Sequence, residues 1–335
     1  MPVIPVGDMA QQFNSMRSGS AIKTDLARLS DSLSTGKVSD LTEHLGGRSS
    51  QFSGLSHSLS QIAAYVDSAQ ETELQLTNMQ LVLGHVQTLA QETSGQLLLV
   101  SNSSTADQIS ETARSAHATF VTMVDTINTQ FADRALFGGT TVDVDPLASA
   151  EDMLADIQAA IGGATSFAAI STIVSDWFAD PAGGFATMGY QAGRGAHATK
   201  NISDTTRITI DARADDPAIK ETLKATVLAA LAHELPGIDT TTKADLLKNA
   251  GIELVGATDR LVSLQSRVGH LEETVAGELT SLNAQATALS IAKNELEYAD
   301  PYETASRLQA VQLQLETHYA VTARMSQLSL LSYMS

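Results

Sequence analysis

The sequence predicts a mainly α protein: an elongated antiparallel helical bundle, or coiled coil, formed by the N- and C-terminal segments, with a small α/β insert in the middle. Three observations predict it. Apolar residues recur at every seventh position near the C-terminal end, at Leu247, Leu254, Leu261, Val268, Val275, Leu282, Leu289 and Leu296. A helix turns once per about 3.6 residues, so this stripe stays on one face and drifts into a left-handed supercoil. At about 1.5 Å per residue it makes a rod of roughly 75 Å, which needs another long helix along it. Before residue 101, apolar residues again step by three and four over a long span. Aromatics are only 4% of a chain that is 43% hydrophobic, which suits helix seams of small aliphatics better than a thick globular core.

Element by element, Asp8 caps a first helix that runs to about Leu33. Met9, Phe13 and Met16 mark its apolar face, and Ile22, Leu26, Leu29 and Leu33 continue it after a one-residue phase shift. Ser34-Thr-Gly36 stops it. Residues 37–54, with Gly46-Gly47 and several serines, read as a linker with little regular structure. The second helix runs from Leu55 to Val100, and 102–107 form a turn with capping residues. A third helix follows, with Ile109, Ala113, Phe120, Val124, Ile127 and Phe131 inward, ending at Ala135-Leu-Phe-Gly-Gly139, where glycine can adopt a left-handed conformation.

From Thr140 the long-range repeat breaks down. Two short amphipathic helices, Leu147–Ile161 and Phe167–Phe178, are separated by Gly162-Gly163, and a glycine-rich loop spans 181–195. Trp177 and Phe178 are expected inside this insert. Arg207-Ile-Thr-Ile-Asp-Ala-Arg213 alternates polar and apolar residues and is the best strand candidate. Asp216-Pro217 starts a helix to about Glu234. The heptad helix follows, from about Lys243 to Tyr298. Asp300, Pro301 and Glu303 form a new helix start, and the last helix runs nearly to the end. The expected organisation is 1–36 with 301–335 as an inner assembly domain, 37–54 as linker, 55–139 with 243–300 as a helical rod, and 140–242 as the insert.

The formal charge of −18 argues against nucleic acid and against an anionic membrane surface as partners. No cysteine is present, which excludes disulfides, thiolate metal sites and cysteine nucleophiles. The first residues lack a basic stretch followed by an apolar core of about 7–15 residues, so no ordinary secretory signal is expected. No run of about 20 apolar residues could span a bilayer. By these rules alone the protein would be cytoplasmic.

Catalytic chemistry finds no support. None of the eight histidines pairs with another at the i, i+4 spacing that would set two on one helical face for a metal. Asp143-Val-Asp145-Pro reads as a surface turn rather than a cation loop. Gly189-Tyr-Gln-Ala-Gly-Arg-Gly195 lacks the following Lys-Ser/Thr of a phosphate loop, and no Gly-x-Ser-x-Gly elbow exists. No catalytic residue, metal site or cofactor is expected.

One stretch carries a resemblance. Ala299-Asp-Pro-Tyr-Glu-Thr-Ala-Ser-Arg-Leu308 through Ser326-Gln-Leu-Ser-Leu-Leu-Ser-Tyr-Met334 resembles the carboxyl terminus of the flagellin superfamily. Within it, Tyr319-Ala-Val-Thr-Ala-Arg324 and Leu328-Ser-Leu-Leu-Ser-Tyr333 are more similar to the hook-associated proteins of the hook–filament junction than to filament flagellin. Arg134-Ala-Leu-Phe-Gly-Gly139 resembles the Phe-Gly-Gly turn of the same family, and Leu29-Ser-Asp-Ser-Leu-Ser-Thr-Gly36 resembles its amino-terminal helix end. The resemblance covers about 8–139 and 243–334, more weakly 208–228. It departs after Gly36, where the family often carries a basic stretch and an Asp-Asp-Pro turn and this chain has Lys37-Val-Ser-Asp-Leu-Thr-Glu-His-Leu-Gly-Gly47.

The resemblance implies a structural component of the bacterial flagellum at the hook–filament junction, with an outward-facing insert. It implies export without a cleaved signal through the flagellar export apparatus with a chaperone, which replaces the cytoplasmic reading. It further implies self-assembly into a ring-like layer between a FlgK-type junction protein and flagellin. A filament-forming flagellin and a coiled-coil type III secretion or tip protein are the alternatives. The assembly interface is expected on Phe13, Ile22, Leu26, Leu29 and Leu33 against Leu308, Val311, Leu315, Leu328 and Leu331. Rod packing is expected on Leu254, Leu261, Val268, Val275, Leu282 and Leu289. Each terminal helix has one apolar stripe with little nearby to cover it, so the ends are expected to order only on pairing with each other and with sister copies.

Overall fold

The computed structural model describes residues 6–101 and 103–334; the side chains of 6–8, 11 and 326–334 lie outside the described residues. The elements are α1 (Val6–Thr35), α2 (Leu41–Leu45), α3 (Ser49–Leu98), α4 (Ala106–Ile127), β1 (Gln130–Phe131), β2 (Arg134–Ala135), α5 (Ala150–Ile161), α6 (Phe167–Ala179), β3 (Ala198–Asn201), β4 (Arg207–Ile210), α7 (Pro217–Glu234), α8 (Thr240–Glu297) and α9 (Pro301–Met334). A single π-helical turn lies at Phe185–Gly189. The protein is mainly α, as expected. Its described strands form just two antiparallel pairs, β1 with β2 and β3 with β4. Contacts divide the chain into two units, Met1–Ala63 with Ala284–Ser335, and Ala64–Asn283.

The second unit contains the heptad seam. Leu247, Leu254, Leu261, Val268 and Val275 of α8 are buried in one core with Leu76, Met79, Leu83, Val86, Ala90 and Leu97 of α3. Gln80 Nε2 donates to the Gln265 carbonyl at 2.7 Å, and Gly251 lies against Leu97 and Leu98. Rising numbers on one helix meet falling numbers on the other, so α3 and α8 run antiparallel. Leu282 is also buried, while Leu289 is half-buried. The heptad position held by Glu278 is polar because its carboxylate accepts from Thr206 Oγ1, at 3.1 Å, in the loop joining β3 to β4.

α4 lies beside this pair, and its start is well specified. Thr105 accepts from the Gln108 amide while the Gln108 side chain accepts from the Thr105 amide, a reciprocal cap. The helix ends sooner than the Phe-Gly-Gly motif implies. It stops at Ile127, and Phe131, expected on its inner face, sits half-buried in β1. Ala132 and Asp133 both have positive φ, 50° and 58°, making the two-residue turn that suits the right-handed twist of a hairpin. Gly138 and Gly139 form a separate turn beyond it.

Residues 140–242 do not enclose a core of their own. Ile157 of α5, Val174 of α6, Ile208 of β4 and Leu223 of α7 belong to the same cluster as the α3–α8 seam. α7 is the reason. Ile219, Thr222, Leu223, Ala225, Thr226, Val227, Leu228 and Leu231 are all buried, so nearly every side of this helix is covered, and such a helix sits centrally. The start is as expected: Asp216 accepts from the Ala218 amide at 2.8 Å ahead of Pro217. Arg207–Ile210 is the expected strand, shorter by three residues and paired with β3.

Trp177 and Phe178 are buried with Phe185 and Tyr190 as a run of ring contacts. Trp177 Nε1 donates to Asp156 at 2.6 Å. A Cβ on Gly184 would collide with the indole nitrogen. Gly184→Ala is therefore expected to lower the stability of this unit by about 1–3 kcal/mol, read as a lower thermal midpoint. Burial pushes the Tyr190 phenol up to about 12.

The β3–β4 hairpin is tied to α3 by charge. Glu71 accepts from Lys200 at 3.0 Å, with Arg134 at 3.6 Å, and these cations hold its carboxyl below the ordinary value of 4.5. A lowered carboxyl contributes stability above 4.5 that is lost as pH falls through the folded value. Glu71 is 56% exposed, so solvent screens the pair to well under about 1 kcal/mol. Glu71→Gln should lower the urea midpoint slightly at pH 7, and the difference from the wild type should shrink as pH falls below 4.5.

Candidate assembly interface

α1 and α9 belong to the first unit, and both have clear ends beside each other. Gly36 takes the left-handed conformation, with φ of 72°, and its amide donates to the Ser32 carbonyl at 2.9 Å. At the other side Asp300 Oδ1 accepts from the Tyr302 and Glu303 amides at 2.8 and 3.0 Å, and Pro301 is the first helical residue, as expected. Between these ends the two connections pair with each other. Val38 N–H donates to the Glu297 carbonyl at 3.0 Å and Ala299 N–H to the Gly36 carbonyl at 3.1 Å. Lys37 faces Tyr298 across this bridge. Its ammonium meets Glu297 Oε1 at 2.9 Å, which raises the lysine above its ordinary value.

Residues 37–54 are far more regular than their composition implies. Ser39 Oγ donates to the Arg28 carbonyl at 2.9 Å, folding the connection back onto α1. Asp40 accepts from the Glu43 amide at 3.0 Å and so starts α2, whose Leu45 is buried. α3 already begins at Ser49.

The seam between α1 and α9 is antiparallel and thin. Ser15 and Thr322 hydroxyls lie 3.4 Å apart. The Lys23 ammonium stands 5.7 Å over the Tyr319 ring. Gly19 faces the His318 ring so closely that a Cβ there would approach its Nε2 to 2.8 Å. Between that contact and the Gly36–Ala299 bridge lie Ile22, Leu26 and Leu29 on α1, and Leu308, Val311 and Leu315 on α9. Ile22 is 7% exposed, and the other five are half-buried.

Two expected members do not join this seam. Phe13 is 63% exposed and Leu33 42% exposed. The one-residue phase shift explains Phe13: stepping back from Ile22 by three and four reaches Gly19 and Ser15, so Met9, Phe13 and Met16 face elsewhere. At Leu33 the seam position goes to Ser32, which is buried and shares a 2.8 Å hydroxyl contact with Ser39. The side chains of Leu328 and Leu331 lie outside the described residues. The seam also contains Tyr319, an apolar-stripe residue of the last helix, and three members the apolar pattern missed: Gly19, Lys23 and His318. An isolated glycine inside a helical pattern was the available signal for close approach.

Among the described residues, no group of three or more His, Asp or Glu could hold a metal ion, and no helix is long and apolar enough to cross a membrane. The model of the bacterial flagellin C-terminal helical region matches residues 253–334. Residues 253–334 are thus similar to a flagellin C-terminal region. That flagellin-type stretch contains most of the heptad helix and all the described residues of α9.

The fold has counterparts among solved structures. One is a protein assigned as a flagellar hook-associated protein from Vibrio parahaemolyticus, with a TM-score of 0.54 and 12% identity over 75% of this chain and 99% of that one. Another is FlgL of Bacillus cereus, with a TM-score of 0.51 and 16% identity over 72% of this chain and 99% of that one. At such identities the likeness is one of fold. No curated protein matches the chain in sequence.

Proposed function

We propose that the chain is a structural component of the bacterial flagellum that joins hook to filament and performs no catalysis of its own. One observation carries the reading: a flagellin-type C-terminal helix returns alongside α1 and leaves apolar surface on both uncovered. Met9, Phe13, Met16, Tyr319 and Val321 are exposed. A patch of this kind on a terminal helix pair suits burial against sister molecules. The fold shared with a hook-associated protein and with FlgL supports the junction in preference to the filament shaft.

On this reading residues 1–36 and 301–335 form the inner assembly domain. Residues 55–139 and 243–300 form the rod, and 140–242 are the insert, which presents its exposed surface outward while α7 stays buried. Ile22, Leu26, Leu29, Leu308, Val311 and Leu315 close the seam within each copy. Copies form a ring-like layer that meets a FlgK-type junction protein on one side and flagellin on the other. The chain leaves the cell through the flagellar export apparatus, held until then by an export chaperone. Deleting the gene tests the reading: hooks should remain and flagellin should appear in the medium. Filaments of normal length in that strain, or long fibres formed by the purified protein alone, would overturn it.

A further inference from the structure

We infer that the bridge between Gly36–Val38 and Glu297–Ala299 is a register clamp from which the α1–α9 pair closes toward its free ends. The two backbone hydrogen bonds flank Lys37 and Tyr298, so these residues form a non-hydrogen-bonded antiparallel pair whose side chains are close. Each strand of the bridge is fixed from its own side as well, one by Ser39 on the Arg28 carbonyl and the other by the Asp300 cap of α9.

Burial on the seam side is confined to the half nearer this point. Ser32, Thr304 and, farther along, Ile22 are buried; Leu29, Leu308, Leu26 and Val311 are half-buried; beyond Ile22, Met16, Phe13 and Met9 are exposed, as are Val321 and Met325 on α9. Among the described residues of α1 and α9, Ile22 is the one apolar side chain that is buried. Helices with so little tertiary cover are marginal by themselves. Lys37 and Glu297 are 260 positions apart in sequence; pairing of α3 with α8 already spans most of that separation, and the first α1–α9 contact must close the loop that remains. Once the bridge stands, each further contact closes only a short one. The order of both terminal helices therefore depends on the bridge, and fraying begins at the ends far from it.

Residue-level hydrogen exchange on the full-length protein tests this. In the wild type, amides of α1 beside Gly36 should exchange slowest, with protection falling toward Met9. Val38→Pro removes the donor to the Glu297 carbonyl. It should speed exchange in Arg28–Thr35 and Thr304–Leu315 together by about tenfold or more, with residues 64–283 unchanged. The chain has no cysteine, so Lys37→Cys with Tyr298→Cys offers a single disulfide. A non-hydrogen-bonded pair places Cα atoms about 4.5 Å apart, within disulfide reach. Oxidised, that pair should slow exchange along both helices relative to its reduced form, in the Val38→Pro background and in the wild-type one. Uniform protection along α1, an unchanged Val38→Pro profile, or a disulfide that forms without slowing either helix would each overturn the clamp.

Discussion

Leu26→Asp is expected to abolish incorporation into the flagellum while residues 64–283 stay folded. Leu26 lies in the α1–α9 seam between the Gly19–His318 contact and the bridge, half-buried in the isolated chain. Neighbouring copies would complete its burial on assembly. A carboxylate there would be enclosed among Ile22, Leu29, Leu308, Val311 and Leu315, and the cation one turn away, Lys23, is engaged over the Tyr319 ring. An unpaired buried charge is worth roughly 3–5 kcal/mol against the assembled state. Multiplied over every copy in a layer, that leaves no assembly. The isolated chain should register the change weakly, because the side chain still reaches water and α3, α4, α7 and the α8 seam do not contain it. A complemented deletion strain should stay non-motile and shed flagellin, while the purified variant keeps the main thermal transition of the wild type. Normal filaments on Leu26→Asp cells would show that the seam is not what assembly closes.

The second large effect is on stability. Leu261 is wholly buried where α8 meets α3, with Leu254, Leu264 and Val268 around it in sequence and in the core. Leu261→Ala removes buried methyl groups and leaves a cavity, so about 3–5 kcal/mol should be lost from the denaturant unfolding free energy. Leu289 continues the same stripe but is only half-buried. Leu289→Ala should therefore lose only about 1 kcal/mol. Equal losses at the two positions would mean that the heptad pattern, rather than the burial it produces, had been mistaken for the seam.

The helical frame was legible because its causes are local and periodic. Eight heptad residues set one face of α8, and Asp216-Pro217 and Asp300-Pro301 announce helix starts through a capping carboxylate and a ring-fixed φ. What escaped has weak residue signals. The turn after α4 uses Ala132 and Asp133 at positive φ, where glycine or asparagine would have given notice, so Gly138-Gly139 looked like the helix stop. The bridge at Lys37 and Tyr298 is made of backbone groups, which every residue carries. α7 reads as an ordinary short helix, and its central place follows from what surrounds it. In the candidate site, the phase shift within α1 was visible, but which half faces α9 depends on a glycine that lets His318 approach. Phe13 is left exposed in the isolated chain for that reason.

The most direct test of the junction role is to image the protein on purified flagella, with a tag in the exposed Gly162-Gly163 turn detected by gold-labelled antibody. Gold is expected in one short zone at the distal end of each hook and nowhere along the filament. Gold distributed along the filament, or absent from intact flagella, would contradict it.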